Sequence, residues 1–254
     1  MRSSFPSLWA VAAMVLMGQQ PSNDGLRLPA REPAAVKPAL SPEQRGDIFM
    51  ARKMYREAAE VYRDGAGRSP ILANKLGIAY HQLASLGQAR KQYELAAKLD
   101  PKYAEAINNL GTVYYAQKNY RRAVTQYKRA LVLNPNSASI RSNLGTAYFA
   151  RKKYKEALDE YQKALELDPE VFEHRNSHGV LLQERSVEER AKFHYYLAKT
   201  YAKSGQQDRA LLYMRKSIEE GFKERNKYME DEEFVAIRSL PEFQELMKME
   251  TRAL

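Results

Sequence analysis

Apolar and small residues recur three and four positions apart in paired segments, and each pair repeats after 34 residues. Leu76-Gly77, Leu110-Gly111 and Leu144-Gly145 stand in step, and the same shift carries Tyr80 to Tyr114 and Tyr148. Ala89, Tyr93, Ala96 and Pro101 likewise recur as Ala123, Tyr127, Ala130 and Pro135, then as Ala157, Tyr161, Ala164 and Pro169. Spacing of three and four marks an amphipathic helix, so each unit predicts two of them. In the unit from Lys102 to Leu133, Ile107, Leu110, Gly111 and Tyr114 form one stripe; Ala123, Val124, Tyr127, Ala130 and Leu131 form the other. Gly111 is expected to face Ala123 and Ala130, bringing two backbones close, with tyrosines filling the remaining space. An Asn-Pro or Asp-Pro step ends each second helix, because proline cannot continue it, and pre-sets the first turn of the next.

An earlier unit shows through the parallel between Ala51–Ala58 and Ala150–Ala157, with Arg45-Gly46 in place of Leu-Gly. It lacks three residues near Ser69-Pro70, which predicts a tighter turn into the second unit. After Pro169 the register is ambiguous. Ala191, Tyr195 and Ala198 fit a second helix, whereas Leu197-Ala198 and Tyr201 fit a first helix completed by Gly205, Ala210 and Met214. The loop-like Lys203-Ser204-Gly205-Gln206 favours the latter, together with a capping box at Ser186-x-x-Glu189. The expected hairpins therefore span about 43–68, 71–100, 102–134 and 136–168, followed by an unpaired helix over 170–185 and a hairpin over 187–220. An odd helix there would shift the phase of the stack and partly close its groove. The tail, 223–254, carries Phe234, Ile237, Leu240, Phe243 and Leu246 across Pro241, and reads as two short helices capping the array.

Leu-Gly, then Tyr, Ala, Tyr, Ala and Pro at these intervals resembles the tetratricopeptide repeat over about residues 43–169. The resemblance implies an all-α, right-handed superhelix of antiparallel helical hairpins, here with one extra helix and a C-terminal helical cap. It also implies protein or peptide binding in a concave groove lined by the first helices, without catalysis.

The N-terminal region follows a different pattern. Leu8 to Met17 is an unbroken apolar run after Arg2, too short at about 15 Å for a hydrocarbon core of about 30 Å. Residues 1–18 therefore read as a secretory signal peptide, or as an uncleaved membrane anchor, since no A-x-A cleavage pattern is present. Five prolines (Pro21, Pro29, Pro33, Pro38, Pro42) make 19–42 an extended linker. The protein is thus expected to be exported, periplasmic or on the outer face of a membrane, with membrane contact only through an uncleaved N-terminus.

Composition sharpens this picture. The 254 residues include no cysteine, which excludes a disulfide scaffold, a thiolate nucleophile and Cys-ligated metal. Seventeen tyrosines stand against one tryptophan and eight phenylalanines; about half of the tyrosines are repeat landmarks. No P-loop, dinucleotide-binding turn, H-E-x-x-H or nucleophile elbow occurs, so neither enzymatic activity nor a cofactor is expected. His174 and His178 lie four apart on a predicted helix but lack a clear third ligand, and read as surface or core-edge histidines.

Asn109 and Asn143 each precede Leu-Gly, which would place them on successive first helices facing the groove. An amide both donates and accepts, and can hold a peptide backbone of any sequence. Some tetratricopeptide proteins use such a ladder; here Lys75 and His178 or Tyr196 occupy the flanking rungs. Local helix contacts are the alternative role for both asparagines. Asn74, Asn108, Thr112, Tyr115, Thr146 and Phe149 complete the candidate groove.

The net charge of +10, from 41 Lys+Arg against 31 Asp+Glu, is partly clustered at the turn inside each hairpin. Arg52-Lys53, Lys118, Arg121, Arg122, Arg151, Lys152, Lys153 and Lys155 should line one basic edge. Two functions follow: a scaffold holding an extended protein segment in its groove, or a cell-envelope assembly factor docking its basic edge on an anionic surface. Nucleic acid is disfavoured as a partner because no binding motif for it appears.

Overall fold

The computed structural model describes residues 40–173 and 186–249. The signal segment, the linker up to residue 39, most of the extra helix expected over 170–185, and His174 and His178 lie outside the described residues. Pro42, expected in the linker, is the first residue of α1. There Ser41 and Gln44 close a reciprocal capping box with bonds of 2.9 and 3.1 Å.

Among the described residues five helical hairpins follow. They are α1 (Pro42–Ala51) with α2 (Tyr55–Ala66), α3 (Pro70–Gln82) with α4 (Leu86–Leu99), and α5 (Ala104–Ala116) with α6 (Tyr120–Leu133). Then come α7 (Ala138–Ala150) with α8 (Tyr154–Leu167), and α9 (Val187–Lys203) with α10 (Gln207–Glu219). Each of α2, α4 and α6 also packs on the first helix of the next hairpin, so the units stack in chain order. The three residues missing from the first unit are accounted for: α2 has 12 residues where α4, α6 and α8 have 14, and the loop after it is one residue shorter. Asp100, Asn134 and Asp168 end the second helices with ψ of 99°, 81° and 102°, the extended geometry that a following proline imposes. Pro101 and Pro135 sit in the connecting turns rather than opening the next helix; Pro70 and Pro241 do occupy first helical turns.

The glycines meet tyrosine rings first, and at Gly145 also the backbone of Ala157, the equivalent of the Ala123 expected to face Gly111. A Cβ on Gly46, Gly77, Gly111 or Gly145 would lie 2.1, 2.5, 2.6 or 2.5 Å from Cε1 of Tyr62, Tyr93, Tyr127 or Tyr161. The absent side chain is therefore the space into which the ring of the second helix packs. In the fifth hairpin the same two positions are Ala198 and Met214, both fully buried: where the ring is gone, the glycine is gone too. Leu110 packs with Ala89 and Tyr93 of the preceding second helix. The first hairpin has Arg45 at that position and exposes Ile48 nearby, as suits a terminal unit.

All five hairpin turns share one geometry. The middle residue of each three-residue turn is left-handed: Lys53, Ala84, Lys118 and Lys152 at φ of 55–59°, and Gly205 at 77°. The residue after it donates its amide back to Phe49, Tyr80, Tyr114, Tyr148 or Tyr201, at 2.8–3.0 Å, closing a Schellman motif. A side chain in this conformation costs about 1–2 kcal/mol, partly recovered through a stiffer unfolded chain. Ala84→Gly is accordingly expected to stabilise the array by up to about 1 kcal/mol; an unchanged or lower denaturant midpoint would contradict this.

Burial pushes the phenols of Tyr93, Tyr127 and Tyr228 well above the ordinary tyrosine range. A raised folded pKa means that the neutral phenol stabilises the fold. That contribution is complete below the unfolded value of about 10 and is lost as pH rises beyond it. An alkaline titration followed at 295 nm should show the exposed tyrosines ionising first. The buried ones should ionise only together with the loss of helicity; a single non-cooperative wave would refute the assignment.

Candidate functional site

The first helices meet one another along the stack, α3 against α5 and α5 against α7, and form its inner wall. Along this wall the asparagines bond to each other. The Nδ2 of Asn143 donates to Oδ1 of Asn108 at 3.1 Å, and Nδ2 of Asn108 reaches Oδ1 of Asn109 at 3.4 Å. Asn109 in turn donates to Oδ1 of Asn74 at 3.0 Å, and Asn74 to Oε1 of Glu105 at 2.9 Å and the Tyr103 hydroxyl at 3.2 Å. All four asparagines are at most 6% exposed. In this chain their amides are engaged with one another, the local-contact role that is the alternative to binding a peptide. Each amide links one first helix to the next, because a buried polar group must find a partner. The links join positions 35 apart, one more than the repeat.

The flanking rung is ionic: Lys75 Nζ lies 2.8 Å from Glu43 and 2.6 Å from Asp47, tying α3 to α1. Burial raises the Asp47 carboxyl, but hydrogen bonds from Lys75 and from the Tyr62 hydroxyl hold it below its usual range.

The other groove candidates divide. Thr112 and Thr146 accept hydrogen bonds from the hydroxyls of Tyr127 and Tyr161 at 3.3 and 3.2 Å; Thr112 remains half-buried while Thr146 is buried. Tyr115, 8% exposed, packs on Tyr120 at 5.1 Å. Phe149, 4% exposed, meets Tyr154, Phe193 and Tyr196 edge-on at 5.4, 5.3 and 5.7 Å. Tyr115 thus packs within the third hairpin, and Phe149 packs where α9 docks against the fourth. What the wall leaves accessible is Ile71 and Glu105, both exposed, and Ile78, Thr112 and Ser139, half-buried.

The basic edge is present but uneven. Arg122 lies over the ring of Tyr114, 5.7 Å from its centroid, and Lys153 pairs with Glu156 at 2.8 Å. Arg121 and Arg151, from adjacent turns, line one open recess with Lys118, Asn119 and Tyr120. Lys152 is exposed at its turn tip.

The last first helix is covered by the tail, which comprises α11 (Lys227–Glu230), a 3-10 helix (Glu232–Ile237) and α12 (Pro241–Lys248). Tyr195 stacks on Phe222 at 4.4 Å, meets Tyr228 at 5.3 Å and donates its hydroxyl to Asp231. Lys199 bridges Asp231 and Glu233 at 2.9 and 3.1 Å. Phe234, Ile237, Phe243 and Leu246 are buried. Arg225 donates to the carbonyls of Leu246, Met247 and Met249, satisfying the end of α12. Among the described residues no group of three potential metal ligands occurs, and no helix is long and apolar enough to cross a membrane.

Residues 72–103 and 108–171 match two tetratricopeptide-repeat family models. Among solved structures, MamA 41-end from Desulfovibrio magneticus RS-1 is 21% identical with a TM-score of 0.50, covering 70% of this chain and 92% of that one. The second TPR domain of human RPAP3, in complex with the HSP70 peptide SGPTIEEVD, is 24% identical with a TM-score of 0.41, covering 42% and 92%. The first TPR of Spaghetti (RPAP3), bound to the HSP90 peptide SRMEEVD, is 26% identical with a TM-score of 0.41, covering 42% and 85%. No curated protein matches the chain. The chain thus carries tetratricopeptide repeats, and its fold is an all-α superhelix of such hairpins.

Proposed function

We propose that this protein is a non-catalytic interaction scaffold that holds an extended segment of a partner protein against the inner wall of its first helices. The observation that carries the reading is the wall itself. It is a continuous surface built from stacked repeats, locked by buried amides and leaving Ile71, Ile78, Glu105, Thr112 and Ser139 accessible. Two isoleucines, a carboxylate and two hydroxyls offer apolar anchorage and polar registration together, the combination that suits a peptide surface. The buried asparagines act in this reading by fixing the spacing of the wall, and the partner touches the accessible side chains.

We place the protein outside the cytoplasm because of the apolar run Leu8–Met17, either released after cleavage or held by an uncleaved segment. Fractionation of cells expressing the full chain tests this placement: recovery in the cytosol at full length refutes it.

Selection of a displayed peptide library on the full chain tests the groove. Peptides recovered on the parent should lose binding to Ile71→Asp and Thr112→Arg and keep binding to Lys128→Ala on a second helix. Equal binding to all four proteins would remove the groove from consideration.

A further inference from the structure

The cations of the basic edge are concentrated at two adjacent turns and are largely unneutralised there. Lys118, Arg121, Arg151 and Lys152 make no ion pair among the described residues. The first turn of α6 contains no acidic residue; that of α8 carries one, Glu156, which is held by Lys153 at 2.8 Å, and α2 and α10 carry Glu57 and Asp208 in theirs. On either side the turn residues themselves carry no charge. The second hairpin turns through Leu83-Ala84-Ser85 and the fifth through Ser204-Gly205-Gln206. Arg209 next to the latter is held by Glu170, and Arg90 next to the former lies 3.6 Å from Glu94. The positive charge is therefore densest at these two turns, with Lys203 the exposed cation bordering the fifth, and Arg121 and Arg151 line one recess there.

Size and shape select the partner. Neighbouring helices lie about 8–10 Å apart, so the two turns span a few residues of extended chain. A bilayer would face the neutral turns as much as the charged ones, and it gains only about 1 kcal/mol per basic residue near its surface. A recess flanked by two guanidinium groups instead suits individual carboxylates, which arginine can hold with paired hydrogen bonds. Tyr120, packed on Tyr115, gives the recess a rigid aromatic wall.

We propose that the turns of the third and fourth hairpins form a docking site for a short acidic segment of a partner protein, with Arg121 and Arg151 taking its carboxylates. The site lies at the hairpin turns and stands independently of the groove reading.

The test uses the full chain and a fluorescein-labelled hexaglutamate peptide, followed by anisotropy at low and at 0.3 M salt. The parent should bind, and Arg121→Glu with Arg151→Glu should weaken binding by about tenfold or more, a desolvated charge pair being of that order. Arg52→Glu with Lys53→Glu, at the isolated turn of the first hairpin, should change it by less than about twofold, as expected of a remote surface charge. Arg121→Lys with Arg151→Lys keeps the charge and removes the paired hydrogen bonds, and should lose most of the affinity at the higher salt. Circular dichroism establishes that the variants fold; should the glutamate pair fail to fold, the lysine pair decides between the outcomes. Equal loss from both charge-reversal pairs, or full affinity in the lysine pair, would overturn the site. So would patch-dependent binding to phosphatidylserine vesicles with no binding of hexaglutamate.

Discussion

Gly111→Ala is expected to lower the stability of the array by about 1–2 kcal/mol, despite replacing a mid-helix glycine with the best helix former. Alanine returns about 1 kcal/mol of propensity, whereas overpacking a filled core costs about 1–3 kcal/mol. The upper part of that range applies because Tyr127 is wholly buried and its ring would lie 2.6 Å from the new methyl. Gly87→Ala is the control: nothing lies within 4 Å of a Cβ there, so only the propensity gain remains and the midpoint should hold or rise. The fifth hairpin supplies the rescue. Because Ala198 coexists there with Met214, Tyr127→Met should cost stability alone but remove most of the penalty of Gly111→Ala. The favourable coupling in the double-mutant cycle should be about 1 kcal/mol or more. Guanidinium unfolding of the four proteins measures this, and additive effects would dismiss the glycine–ring pairing.

The helices were legible because a 34-residue period imposes the same pattern of stripes several times over, and α1 to α8 appear where those stripes lie. The partner of each glycine was not legible. Alanine and tyrosine both recur in step with it, and periodicity reports which residues are equivalent without saying which of them touch. The left-handed turns could have been found. Gly205 occupies the position of Lys53, Ala84, Lys118 and Lys152, and a glycine among its equivalents signals an unusual backbone angle. The short α11 has too few residues for any period to show. The bonding of the asparagines was illegible for a different reason: facing a neighbouring first helix and facing solvent give the same helical phase. Only the one-residue offset, Asn74 to Asn109 and Asn108 to Asn143, marks these amides as links between units.

That offset sets the second expectation: Asn109→Ala should act on stability before it acts on any partner. Asn109 is 3% exposed and sits mid-chain, accepting from Asn108 and donating to Asn74. Its removal strands a donor on α5 and an acceptor on α3. A buried unsatisfied group costs about 1–3 kcal/mol, and a methyl offers neither of the two bonds. Asn109→Asp should fare no better, because a carboxylate could accept from Asn108 but could not donate to Asn74 and would bring a buried charge. Asn143→Ala should cost less, since Asn143 stands at the end of the chain of amides and its removal leaves only the Asn108 carbonyl oxygen without its amide donor. Measured together, denaturant midpoints and peptide affinity separate the two roles of the wall. If the amides fix its spacing, Asn109→Ala shifts the midpoint, and affinity falls only as far as the folded fraction falls. An unchanged midpoint with reduced affinity would instead return Asn109 to direct contact with the partner.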